Sequence, residues 1–297
     1  MMKLNWLNIR VNCNAVRYED DGLLIEIIQD ERKFYVWVGG WNYSVLYCAT
    51  ENRRKLMEQL KKIEPIYHNE GLYMYVAKNT GYIEWIVEDS LILEPDYIEH
   101  YIIPTRNYVV EYLDVSGMLV SPLKKEDIKV DDNKIINGIK LTNMSWEYKK
   151  EEYKEYFEDR LLPMYMSITN IVFNKGKLDI LLESPLGEDD EKRYYLQEEV
   201  LITFESGIEA VRFADEGYRT LSGPTVYDAK KKEFTGRYMF KVENSEFIRW
   251  LEEERGREFE DEVNHYFILS SMLVVDVIAK SEPKIKKIGI RRITKKR

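Results

Sequence analysis

The order of hydrophobic and polar positions in this chain occurs twice. Residues 71–120 and 236–285 align without a gap at a constant offset of 165. Gly71, Tyr73, Met74, Asn79, Ile83, Trp85, Glu88, Asp96, His100, Tyr101, Ile103, Val109, Val110 and Ser116 recur as Gly236, Tyr238, Met239, Asn244, Ile248, Trp250, Glu253, Asp261, His265, Tyr266, Ile268, Val274, Val275 and Ser281. A repeated pattern of this length marks a repeated structural unit.

Upstream of the gapless block the two copies agree in looser register. Residues 15–18 and 23–28 flank an Asp-Gly turn, and 169–173 and 177–182 flank a Lys-Gly turn. Short apolar runs around turn residues that tolerate positive φ predict β-hairpins. Alternating or β-branched runs at 34–38, 45–47, 200–204 and 210–213 predict further strands. Asn79-Thr80 and Asn244-Ser245 stand where a helix N-cap belongs, because their side-chain oxygens can accept first-turn N–H groups. The following apolar residues (Tyr82, Ile83 and Ile86; Phe247, Ile248 and Leu251) keep the 3.6-residue period of a helix lying on a sheet. Two more strands, 100–103 with 109–113 and 265–269 with 274–278, close each copy.

Between the copies, 128–130 and 134–141 predict a small hairpin. Ser145 then opens a helix over 146–161, with an aromatic stripe through Trp146, Tyr153, Tyr156, Phe157 and Leu161 and a stop at Pro163. The fold expected is therefore α+β. Two homologous domains, each an antiparallel sheet plus one helix, span 1–120 and 167–285 and pack with pseudo-two-fold symmetry. A connecting hairpin and helix fill 121–166, and a basic tail occupies 286–297.

Composition adds three constraints. The 44% apolar residues suffice for packed cores, and no run reaches the ~18 apolar residues of a membrane span. Only Cys13 and Cys48 are present, without counterparts in copy two, which predicts free thiols in a reducing, cytoplasmic setting. Residues 284–297 hold eight Lys or Arg and no acid, so the rest of the chain carries −17, the overall −9 less these eight charges. An acidic body steers basic partners and repels nucleic acid. The abundance of Lys, Glu, Ile, Asn and Tyr points to an AT-rich genome, that of a low-GC bacterium or its phage.

His100-Tyr101 and His265-Tyr266 are the obvious acid–base candidates. They recur, however, together with Asn79 and Asn244 and with Trp85 and Trp250 at fixed spacing. Residues retained as a set with cap and core positions predict a structural role, a hydrogen bond tying the strand start to the helix. The three histidines show no metal-ligand spacing, and no phosphate loop, nucleophile elbow or cofactor fingerprint is present. No cofactor or metal is expected.

Acid-rich stretches and exposed aromatics read as protein-recognition surfaces. The partner-binding candidates are Tyr148, Tyr153, Tyr156, Glu188, Asp189, Asp190, Glu252, Glu253 and Glu254. The function expected is that of a non-catalytic protein-binding protein. It would be an inhibitor in bacterial conflict, a toxin-immunity or phage anti-defence protein masking a basic partner, and it could form a homo-oligomer. Two other readings stay open. One is a hydrolase using His265 as acid or base with Asp261 or Asp276. The other is a nucleic-acid-associated protein acting through the basic tail.

Overall fold

The computed structural model describes residues 9–19, 22–29, 31–39, 43–69, 71–78, 80, 82–84, 87, 98–114, 119–121, 136–137, 151–156, 166–188, 194–215, 227–228, 233–234, 239–270 and 273–294. Copy one supplies β1 (Asn12–Glu19), β2 (Gly22–Gln29), β3 (Arg32–Gly39) and β4 (Tyr43–Ala49). A 3-10 turn (Thr50–Arg53) runs into helix α1 (Arg54–Leu60). Strands β5 (Tyr67–Asn69), β6 (Leu72–Lys78), β7 (Glu99–Pro104), β8 (Tyr108–Asp114) and β9 (Leu119–Ser121) follow. The connecting segment supplies β10 (Ile136–Asn137) and β11 (Glu152–Glu155). Copy two supplies β12 (Ser167–Asn174), β13 (Lys177–Glu188), β14 (Tyr194–Phe204), β15 (Ile208–Asp215), β16 (Tyr227–Asp228), β17 (Glu233–Phe234) and β18 (Met239–Glu243). Helix α2 (Glu246–Arg255), β19 (Asn264–Leu269), β20 (Leu273–Ala279) and β21 (Lys284–Thr294) complete it.

Two large sheets result. The first runs β21-β14-β13-β12-β1-β2-β3-β9, and the second β10-β6-β7-β8-β4-β15-β20-β19-β18-β11. Their pairings are antiparallel except for β10 on β6. Period-two alternation builds two cores. Val45 and Tyr47 of β4 point toward the first sheet, into a core shared with Val16, Ile25, Phe173, Ile180 and Ile202. Leu46 and Cys48, the alternate residues, point the other way, into a core closed by Phe247, Trp250 and Leu251 of α2 and by Tyr82 and Ile83. The molecule is thus layered sheet, sheet, helix. All seven residues of β20 are buried because both faces of that strand are covered. Each large apolar side chain fully buried this way contributes about 1.5–3 kcal/mol.

The copies join edge to edge twice. Strand β1 pairs antiparallel with β12 in the first sheet, and β4 pairs antiparallel with β15 in the second. Each seam joins corresponding strands of the two copies, as a pseudo-two-fold axis requires, and each sheet runs unbroken from one copy into the other. Pairing satisfies the strand edges that a solitary copy would leave open.

The sequence expectation is corrected at three points. The fold is mostly β, with two large antiparallel sheets and few helices, and it is not α+β with a helical linker. Within the expected helix 146–161, Glu152–Glu155 form β11 on the outer edge of β18. The open backbone edge of β18 outweighs helix propensity there, and Tyr153 alone points inward against Phe240 and Phe267. The expected hairpin at 128–141 falls mostly outside the described residues. Third, most of the basic tail is no tail: β21 pairs with β14 along ten register positions, and Lys287–Glu198 and Arg291–Glu183 ion pairs hold it. The expected hairpins β1–β2 and β12–β13 do form, the latter with Lys175 and Gly176 both at positive φ.

Candidate functional site

The strand-to-helix turn of each copy carries the same buried polar chain. In copy two, Ser245 caps α2: its Oγ accepts the Ile248 N–H at 3.1 Å. The Oγ also lies 2.8 Å from His265 Nδ1, and His265 Nε2 lies 3.0 Å from Asp276 Oδ1. Arg212 Nε donates to Asp276 Oδ2 at 2.9 Å, with Nη2 on the same oxygen. In copy one, Thr80 Oγ1 accepts the Ile83 N–H at 3.2 Å and lies 3.0 Å from His100 Nδ1. His100 Nε2 lies 3.2 Å from Glu111 Oε2, and Arg53 grips both Glu111 oxygens at 2.7 and 2.8 Å.

Donor and acceptor roles follow from the groups at the ends of this chain. The hydroxyl accepts from the helix N–H, so its own hydrogen is free for Nδ1. The carboxylate only accepts, so Nε2 supplies the hydrogen there. The helix start, two strands and a guanidinium are tied in one line. Both imidazoles and both carboxylates have zero exposure. Burial alone would raise the Glu111 carboxyl, but the Arg53 guanidinium and the His100 contact outweigh it and hold the group at about 2. The same pairing holds Arg53 protonated.

Arg53 also binds across the copies. Its Nη1 lies 2.8 Å from Glu254 Oε2 on α2, and its guanidinium stacks 4.4 Å from the Trp250 ring centre. Asn52 beside it donates to Glu209 at 2.8 Å. These groups clamp α2 and β15 of copy two onto the 3-10 turn of copy one.

An open groove of about 930 Å³ lies over the N-terminal end of α2; Ser245 and His265 lie beneath its floor, the His265 side chain without solvent exposure. Five glutamates (Glu152, Glu243, Glu246, Glu252 and Glu262) line it against two cations, Lys241 and Arg249. Arg249 is engaged by Glu246 and Glu253, and Lys154 reaches Glu243. The lining thus carries more carboxylates than cations, which makes the local potential negative.

The sequence-derived candidates divide. Glu252 lines the groove and accepts the Phe259 N–H, and Glu253 is exposed beside it. Glu254, expected at a partner surface, is instead buried in the clamp with Arg53, because the 3.6-residue period turns it inward. Tyr153 and Tyr156 are half-buried, the first edge-on to Phe267 and the second edge-on to Tyr266. Glu188 ends β13. Tyr148, Asp189, Asp190, Asn79 and Trp85 lie outside the described residues. Asn244 is not the cap; it holds φ of 54° and lets the chain turn from strand to helix. Trp250 and Tyr266 are buried, and Tyr101 stacks on Tyr112. Sequence reasoning missed Arg53 and Arg212, whose positions lie upstream of the gapless repeat. The Glu111/Asp276 correspondence within the repeat is the signal that each copy needs a cation to neutralise a carboxylate.

Cys13 and Cys48 are both free and buried, and burial pushes the Cys13 thiol up to about 12. Among the described residues, no helix is long and apolar enough to cross a membrane. No protein-family model, curated protein or solved structure matches the chain.

Proposed function

We propose that the protein is a non-catalytic binding protein of the cytoplasm that captures a basic protein partner in the glutamate-lined groove over α2. The observation that carries this reading is the groove itself, with five carboxylates around an opening large enough for one or two cationic side chains. Such a surface accelerates encounter with a basic protein and selects it over acidic ones. Enzymes that act on nucleic acid, toxins among them, are basic where they hold phosphate. An inhibitor in bacterial conflict that masks such a site is the role this surface suits.

The histidines support the same reading. Each is buried, with both ring nitrogens within 3.2 Å of a hydroxyl and a carboxylate, and repeated with the helix cap. The test is affinity capture by the full chain at low salt, in parallel with a variant carrying Gln at positions 152, 243, 252 and 262. A stoichiometric basic partner retained by the native chain, released by salt and lost with the variant supports the proposal. Capture indifferent to both would sink it.

One observation favours a second reading. Ser245, His265 and Asp276 stand in the order hydroxyl, imidazole, carboxylate that acyl-transfer sites use, beside an open groove. In a hydrolase, Ser245 Oγ would attack and His265 would take its proton. Against this stand the zero exposure of the imidazole and the commitment of Oγ to the helix cap. Ester turnover by the native chain that vanishes in Ser245→Ala, with the fold retained, would establish the hydrolase.

A further inference from the structure

A second opening lies on the helical layer, between α1 and the C-terminal end of α2. It encloses about 440 Å³ and is lined by Arg54, Lys55, Glu58, Gln59, Arg255 and Gly256. Three of these are cations in a protein of net charge −9. The one carboxylate, Glu58, is occupied by Lys61 at 2.5 Å. The cleft is therefore a basic spot on an acidic body.

Arg255 is the informative residue. It is only 8% exposed, yet its Nη1 has no hydrogen-bond partner. A buried guanidinium nitrogen left unpaired is costly, because its lost hydration is not replaced. The face of the guanidinium is occupied, lying 4.2 Å from the Phe259 ring centre. Stacking fixes the plane and leaves the N–H edge for an acceptor, the geometry by which arginine holds oxyanions. The helix end does not supply that acceptor: the Gly256 and Arg257 N–H groups satisfy the Glu252 and Glu253 carbonyls. Nor is Arg255 part of what the duplication preserves, since at the offset of 165 its counterpart is Ser90.

We propose that this cleft binds a dianionic phosphate group, free or carried as a monoester, with the free edge of Arg255 on the oxyanion and Arg54 and Lys55 supplying further positive charge from α1. The class of ligand follows from the charge. A phosphate monoester carries about −1.5 to −2 near neutral pH and presents three acceptor oxygens, which suits three cations better than a single carboxylate does. The volume falls at the small end of the range for small-molecule sites, about 300–1,000 Å³.

The experiment is titration of the full-length chain with inorganic phosphate by calorimetry, with acetate as the carboxylate control. Saturable binding of one phosphate per chain is expected, with acetate binding at least tenfold more weakly. Arg255→Leu should weaken phosphate binding at least tenfold. Because Arg255 is buried, the double variant Arg54→Glu/Lys55→Glu, at two exposed positions, is made in parallel. It should cause a loss of at least tenfold with the melting temperature unchanged, and it decides alone if Arg255→Leu fails to fold. A nucleoside 5′-monophosphate binding more tightly than phosphate would identify a nucleotide as the ligand, and equal binding would identify the free anion. Absence of saturable phosphate binding, acetate binding as tightly, or a loss below tenfold in the double variant overturns the proposal.

Discussion

Arg212 of β15 stands directly opposite Leu46 of β4 across the seam between the copies. Each is also the register partner of its own copy's buried carboxylate: Arg212 of Asp276, and Leu46 of Glu111. The two positions are related by the pseudo-two-fold, yet only one is charged. Two guanidinium groups side by side at the seam would repel in a dry core. Copy one therefore carries an apolar residue there and receives its cation from the 3-10 turn, as Arg53. The duplication preserved the imidazole–carboxylate pair and relocated the charge that neutralises it.

Loss of either guanidinium leaves a buried carboxylate unpaired, which costs about 3–5 kcal/mol. Arg212→Met and Arg53→Met are both expected to lose this much in urea unfolding. Arg53→Met should be the more severe because it also strips Glu254 of its partner. A double-mutant cycle between Arg53 and Glu254 should show coupling of more than about 1 kcal/mol. Additive effects would mean that the two side chains do not interact in solution.

Ser245 and Thr80 each serve a helix N–H and an imidazole at once. Ser245→Ala is expected to cost about 2 kcal/mol or more, since the cap alone accounts for about 1 and the imidazole loses its partner as well. Ser245→Thr should recover most of the loss, because copy one already uses threonine in this place. Thermal unfolding of the two variants side by side checks this.

The acid limb of stability should report Glu111. Its folded value of about 2 lies below the ordinary 4.5, so its contribution is present above pH 4.5 and is lost as pH falls toward 2. Unfolding free energy measured from pH 6 to pH 2 should fall across this window. In Glu111→Gln the fall should be shallower, from a lower starting stability. Parallel curves for the two proteins would assign the acid sensitivity to other carboxylates.

Removing residues 284–297 is expected to expose the edge of β14, because β21 covers it along ten register positions. Truncated chains should aggregate and melt lower, as long unprotected edge strands do. A truncation as soluble and stable as the full chain, by light scattering and calorimetry, would contradict this.

The duplication was legible because core and cap positions diverge slowly in pattern even where identity is low, and the gapless block carried both helix starts and both His-Tyr strands. The hairpins were legible from local turn chemistry, since Lys175-Gly176 requires positive φ whatever surrounds it. The clamp of Arg53, Trp250 and Glu254 was not. Its members lie about 200 residues apart in sequence, and no local pattern records that Glu254 faces an arginine from the other copy. The strand at 152–155 was misread for a related reason: its aromatic spacing suits a helix, and the edge of β18 that captures it lies almost 90 residues downstream.

The sequence by itself carried the repeated pattern, the turn chemistry of the hairpins, and a histidine at the same spacing from each expected helix start. Tertiary structure alone decided that the two modules share both sheets, that the basic end becomes a strand, and that the histidines are sealed. The reason is physical. Periodicity and turn chemistry act within a few residues and are written in the chain, whereas strand edges and buried charges are satisfied by whatever partner the completed fold brings near.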